Sequence, residues 1–123
     1  MKKSILIVIF LFVGRNFIKA QDISCTTLME YVIKNGYIKA NVNSLQLINS
    51  SWLKDVTAYS VDNKIVVIAE IKTDNTGIFT KKYIFCGITS STWDSFYYGL
   101  SDFGKSYGER FQKYIIDNVC NCY

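Results

Sequence analysis

The sequence predicts an α+β fold: a three-stranded antiparallel β-meander packed by two C-terminal helices, with an additional N-terminal helix. Three observations predict it. Between Ser51 and Ile88, three runs rich in β-branched and aromatic residues are separated by short Asp, Asn and Gly segments, the composition of strands joined by turns. After Ile88 the apolar residues recur at three and four places, as on one face of a helix. No proline, repeat or low-complexity linker interrupts this order, so helices segregate from a small sheet.

The chain opens with a positive start at Lys2 and Lys3, an unbroken apolar run from Ile5 to Val13, and Ala20 closing a short polar stretch with Ile18 two places before it. That is the pattern of a cleavable secretory signal over residues 1–20. The nine apolar residues would span only about 14 Å as a helix, against roughly 30 Å of hydrocarbon. The expected product is therefore secreted or periplasmic, with no stable membrane anchor once the leader is cleaved.

Removing the leader also changes the charge. Fourteen Lys and Arg stand against ten Asp and Glu, a formal +4. Lys2, Lys3, Arg15 and Lys19 lie in the leader and no acid does, so ten of each sign remain. A nucleic-acid binder draws much of its affinity from a basic surplus, and the mature chain has none. Lys81 with Lys82 is the one adjacent basic pair left.

In the segment 21–49, Thr27 with Glu30 fits a capping box. Cys25, Leu28, Met29 and Val32 recur at helical spacing before Asn35-Gly36 supplies a stop, which predicts a helix over about 24–35. Residues 37–49 read as a connecting segment with room for a short strand at Ile38, Ala40 and Val42. The region 50–123 holds the main domain and a Cys-x-Cys tail. Its strands are SWLKDVTAYS, KIVVIAEI after Asp62-Asn63, and GIFTKKYIFCGI after Asp74-Asn75-Thr76-Gly77. By the two-residue period, Phe79, Lys81, Tyr83 and Phe85 share one face and Ile84 and Cys86 the other. Ser91 with Asp94 resembles an N-cap pair opening a short helix through Trp93, Phe96, Tyr97 and Leu100, which Gly99 weakens. Tyr107, Phe111, Tyr114 and Ile115 predict a longer amphipathic helix up to Asn118.

Cys25, Cys86, Cys120 and Cys122 all follow the leader, and an even count in an oxidising compartment suggests disulfides. A Cys120–Cys122 bond would close a very small strained ring. The C-terminal cysteines are therefore expected to reach back to Cys25 and Cys86, with the connectivity open. A four-thiolate zinc site usually has two close pairs about two residues apart; here there is one, at the wrong spacing.

The order SSWLKDVTAYSVDNKIVVIAEI, KYIFCGI, WDSF and SDFGKSYGERFQKYI resembles the KTSC domain, a small module found alone or appended to lysyl-tRNA synthetases, over residues about 50–118. Tyr83-Ile84-Phe85 matches that family's aromatic strand motif, Gly87-Ile88 its turn, and Gly104-Lys105 with Tyr107 the start of its second helix. Phe85 stands where the motif has a second tyrosine, and the N-terminal helix with four cysteines lies outside the pattern. The resemblance implies a β-meander with C-terminal helices, no established activity, and an RNA role suggested by the synthetase association.

There is no histidine, which excludes Ser-His-Asp and Cys-His catalysis and imidazole proton shuttles. No Gly-rich phosphate loop occurs. Asp94, Asp102, Glu109 and Asp117 could in principle form an acid–base pair, but Asp94 reads as a cap and Glu109 with Lys113 as an i,i+4 surface pair. The expectation is a non-catalytic interaction module with no cofactor or metal, binding an unknown protein or glycan. A nucleic-acid module is the alternative, and a small carboxylate-dependent hydrolase stands third. The candidate contact surface is Tyr97, Tyr98, Lys81 and Lys82, since tyrosine supplies both area and a polar handle.

Overall fold

The computed structural model describes residues 23–123; the leader assigned to residues 1–20 lies outside them. Two compact units divide the chain. Among the described residues, the smaller comprises 23–28 and Asn121–Tyr123, and the larger is Met29–Cys120.

In the smaller unit, Ser24 opens helix α1 (Cys25–Asn35). Its hydroxyl accepts the Thr27 N–H at 3.1 Å and its carbonyl accepts the Leu28 N–H at 3.0 Å. The cap is thus Ser24, three residues before the expected Thr27–Glu30 box, because Cys25 already belongs to the first turn. A disulfide joins Cys25 to Cys122, with Cα atoms 5.1 Å apart. Around it the Cys25 N–H donates to the Tyr123 carbonyl and the Tyr123 N–H to the Ile23 carbonyl. The bond closes a separation of 97 residues, which the chain-entropy view values at about 4–5 kcal/mol.

The larger unit is built on a four-stranded antiparallel sheet, β1 (Tyr37–Val42), β2 (Leu53–Val61), β3 (Lys64–Lys72) and β4 (Thr80–Ile88), in chain order. The expected three-strand meander is β2–β4. The extra strand, β1, comes from the segment read as a connection. It is an edge strand in which Val42 alone is buried, so it lacks the apolar density that marks its neighbours.

Asp62 and Asn63 have φ of 51° and 62°, and Val61 pairs with Lys64, a two-residue hairpin of the type that suits strand twist. Two bulges matter later. Leu53 pairs with Ile71 and Asp55 with Glu70, so Lys54 is an extra residue on β2. Near the end of β4 the register shifts again between Ile65 and Val67, where Gly87 has φ 71°. Gly87 therefore belongs to an irregularity inside β4, not to a turn after it.

One sheet face packs under helices α2 (Ser90–Tyr98) and α3 (Tyr107–Tyr114). Val56, Ala58, Val67, Ala69 and Phe85 meet Trp93, Phe96, Phe111 and Ile115 there. Edge-on aromatic contacts bind the layers: Phe85 to Phe111 at 5.3 Å and Phe96 to Phe111 at 5.7 Å between ring centres. Such pairs add about 0.5–1.5 kcal/mol beyond area burial. The opposite face also buries Ile68 and Ile84.

Helix α3 stops at Tyr114, short of the expected Asn118, because the chain turns back to the sheet. The Asn118 carbonyl accepts the Cys86 N–H at 2.7 Å, and the Cys120 N–H donates to the Ile84 carbonyl at 3.1 Å. The tail thus runs antiparallel along the outer side of β4, and the Cys86–Cys120 disulfide fixes it across 34 residues. That loop length corresponds to about 3–4 kcal/mol in the same view.

Candidate functional site

The corner between α2 and α3 holds a polar network that grows from local sequence. Thr89 caps α2, its side chain accepting the Thr92 N–H, so Asp94 is not the cap; it lies exposed along the helix. Four consecutive residues, Thr89 to Thr92, are cap formers, and only the extended backbone at Thr89, φ −80° and ψ 161°, can present its oxygen to the first turn. Gly99 ends the helix at φ 66°, its N–H donating to the Ser95 carbonyl, the left-handed stop that glycine adopts without steric cost. Ser106 opens α3 with a capping box: its hydroxyl accepts the Glu109 N–H and the Glu109 carboxylate accepts the Ser106 N–H at 2.9 Å.

Between the helices, Asp102 is only 5% exposed. Its carboxylate accepts Lys113 Nζ at 2.6 Å and the Tyr114 hydroxyl. Lys113 therefore pairs with Asp102 and not with Glu109, whose carboxylate is committed to the cap. Arg110 closes the corner, donating from Nε to the Phe96 carbonyl and from Nη1 to the Lys105 carbonyl, each at 2.7 Å. Its guanidinium lies 4.4 Å from the Tyr107 ring centre, an attractive cation–ring arrangement.

The electrostatics follow from these bonds. Lys113 and then Tyr114 donate to Asp102 and hold its carboxyl below the usual carboxylate range. The Ser106 backbone N–H does the same for Glu109, while Asp102 pushes the Lys113 ammonium up. Charge-assisted bonds of this kind favour the ionised forms. Both carboxylates are therefore structural anions, without a proton to give at neutral pH.

Two large apolar side chains lie outside the network. Leu100 is 88% exposed and Phe103 is 99% exposed, on a loop whose backbone is held by the bonds Asp102 N–H to Gly99 carbonyl and Lys105 N–H to Asp102 carbonyl. Tyr98, also exposed, continues this surface at the end of α2. A lone exposed Leu is ordinary; three large exposed side chains within the six residues 98–103, beside a pinned loop, are a concentration of apolar surface. Sequence reading missed Leu100 and Phe103 as surface residues. The available signal was that Phe103 falls outside both helical periods, between Gly99 and Gly104.

The other expected residues are spread over the unit. Phe85 is 1% exposed in the core, among rings that offer a hydroxyl no partner, which gives the phenylalanine a packing role. Tyr83 is 36% exposed at the sheet margin, with Lys81 Nζ 5.2 Å from its ring centre. Lys81 and Lys82 are both exposed on β4, paired with Ile71 and Glu70 respectively, so they point to opposite faces. Tyr97 is half-buried, stacked on Trp93 at 5.5 Å, with Tyr98 edge-on to it at 5.0 Å. Tyr98 alone of the expected contact residues joins the corner surface. All four cysteines are in disulfides. Among the described residues, no helix is long and apolar enough to cross a membrane.

No protein-family model matches this chain, and no curated protein or solved structure shows significant similarity to it.

Proposed function

We propose that this chain is an exported, non-catalytic interaction module, stapled by its disulfides, that binds a protein partner through the α2–α3 corner. The observation that carries the reading is Phe103: an aromatic ring almost wholly in solvent, on a loop held by the buried Asp102 carboxylate and by an Arg110 bond to the Lys105 carbonyl. Prior ordering of this kind lowers the entropy lost on binding, and exposed aromatic anchors dominate interface energetics. Two of the four candidate carboxylates, Glu109 in the capping box and Asp102 in its network, are committed to structure, which supports a binding role over an acid–base one. Export is supported by the leader pattern and by two disulfides, bonds that persist in oxidising compartments. KTSC kinship for residues about 50–118 remains part of the proposal, on the sequence order alone, and it places Gly104-Lys105 and Tyr107 in this same corner.

Affinity capture from the exported fraction of the source cells tests the reading, using the disulfide-bonded wild type beside Leu100→Ser/Phe103→Ser. A specific protein retained by the wild type should bind the double variant about 30-fold or more weakly, the loss expected for a hot spot of about 2 kcal/mol. The variant should keep the wild-type far-ultraviolet spectrum. Equal retention by both proteins would overturn the proposal.

A further inference from the structure

A second surface lies at the other end of the sheet, where the 44–48 turn meets the end of β3 and the β3–β4 hairpin. A groove of about 320 Å³ there is lined by Leu45, Ile48, Lys54, Lys72, Thr76 and Gly77, with Ser44 and the buried Leu47. The volume sits at the small end of the range for small-molecule sites, about 300–1,000 Å³.

Two lysines give the groove its chemistry. The bulge at Lys54 re-aims that side chain, and its Nζ reaches the Gly77 carbonyl at 3.3 Å. Lys72 Nζ donates to the Ser50 carbonyl at 2.8 Å. The Lys72 stem passes the hairpin so closely that a Cβ on Gly77 would lie 3.6 Å from its Cδ and Cε. Each ammonium has three N–H donors, and each donates to a neutral carbonyl. Among the described residues, no acid lines the groove. The nearest hairpin carboxylate, Asp74, is committed to the Thr76 hydroxyl and the Gly77 N–H. Beside these cations, Leu45 and Ile48 are exposed. Two part-buried cations lacking an acid call for an anionic head, and the adjoining alkyl surface calls for an aliphatic tail.

We propose that this groove binds an aliphatic carboxylate of medium length, its head between Lys54 and Lys72 and its chain along Leu45 and Ile48. The groove shares no lining residue with the α2–α3 corner, so the site stands or falls independently of the protein-binding reading.

Octanoate is the probe, with acetate as head alone and octanol as tail alone, titrated by calorimetry and by amide chemical shifts. Octanoate should bind with a Kd on the order of 1 mM or tighter, as expected for so few heavy atoms, shifting Leu45, Ile48 and Gly77. Acetate and octanol should each bind about tenfold or more weakly. Lys54→Gln/Lys72→Gln should lower octanoate affinity by about tenfold or more. Thr76→Asp, which puts an acid at an exposed hairpin position and touches neither lysine, should do the same. Leu100→Ser/Phe103→Ser should leave it unchanged. No octanoate binding at concentrations of about 1 mM, acetate equal to octanoate, or unchanged affinity in Thr76→Asp would each overturn the proposal.

Discussion

The α2–α3 corner and the hairpin end of the sheet each set two cationic side chains against protein acceptors and use them in different ways. At the corner, Lys113 meets the Asp102 carboxylate and Arg110 meets two carbonyls and an aromatic ring. Those two charges serve in building the corner, and the large apolar side chains of the loop, Leu100 and Phe103, face solvent. At the hairpin end, Lys54 and Lys72 each donate to one carbonyl, beside a turn whose own carboxylate is committed locally. The same residue chemistry thus serves as scaffold in one place and as unspent binding capacity in the other. Counting surface charges would not separate the two; following each donor to its acceptor does.

Two of the left-handed glycines, Gly99 and Gly77, break this comparison most sharply. A Cβ on Gly99, at φ 66°, would lie 2.6 Å from the Arg110 guanidinium carbon, whereas one on Gly77, at φ 74°, would make ordinary contact with Lys72 methylenes. Both Gly→Ala changes carry the left-handed backbone cost of about 1–2 kcal/mol. Gly99→Ala must also displace Arg110 from the Phe96 and Lys105 carbonyls, so its total should reach about 2–3 kcal/mol. Urea denaturation of the two variants checks the order, and a Gly77→Ala loss equal to that of Gly99→Ala would remove the distinction between a tight and an open region.

A smaller effect should appear in acid. Asp102 has a depressed pKa in the folded protein, so the stability it contributes is present above its unfolded value, about 3.9, and is lost as pH falls through the lower folded value. Lys113 is shifted upward, so its share is present below about 10.4 and is lost as pH rises through its folded value. Amide hydrogen exchange should therefore show the 99–106 loop opening in strong acid and again in strong base, with Asp102→Asn abolishing the acid limb. The groove, where no carboxylate holds a lysine, should show no matching acid transition.

Much of the larger unit was legible in the sequence, and the exceptions share a cause. β2, β3 and β4 announce themselves because each buries a group of residues dense in β-branched and aromatic types, and Asp-Asn or Asp-Asn-Thr-Gly turns join them. β1 does not, because an edge strand with one buried residue has no composition to distinguish it from a loop. The helices were readable from their periods, yet their caps moved by two or three residues, since runs such as Thr89-Ser90-Ser91-Thr92 offer several oxygens and backbone geometry selects one. The pairing of Lys113 was misjudged for a related reason: helix spacing offers Glu109, while Asp102 comes from outside the helix. The C-terminal cysteines did reach back to Cys25 and Cys86, as chain geometry required. The groove was invisible, because Lys54 faces Gly77 by way of a bulge, and a one-residue register shift leaves no mark in composition.

The claim that the corner is the binding face is tested most directly by site-specific photo-crosslinking in the exported fraction. A benzophenone side chain replacing Phe103 should yield one discrete covalent adduct with a protein partner, and the same probe replacing exposed Ile38 on β1 should yield none. Failure to form an adduct at position 103, or an identical adduct pattern from both positions, would contradict the account.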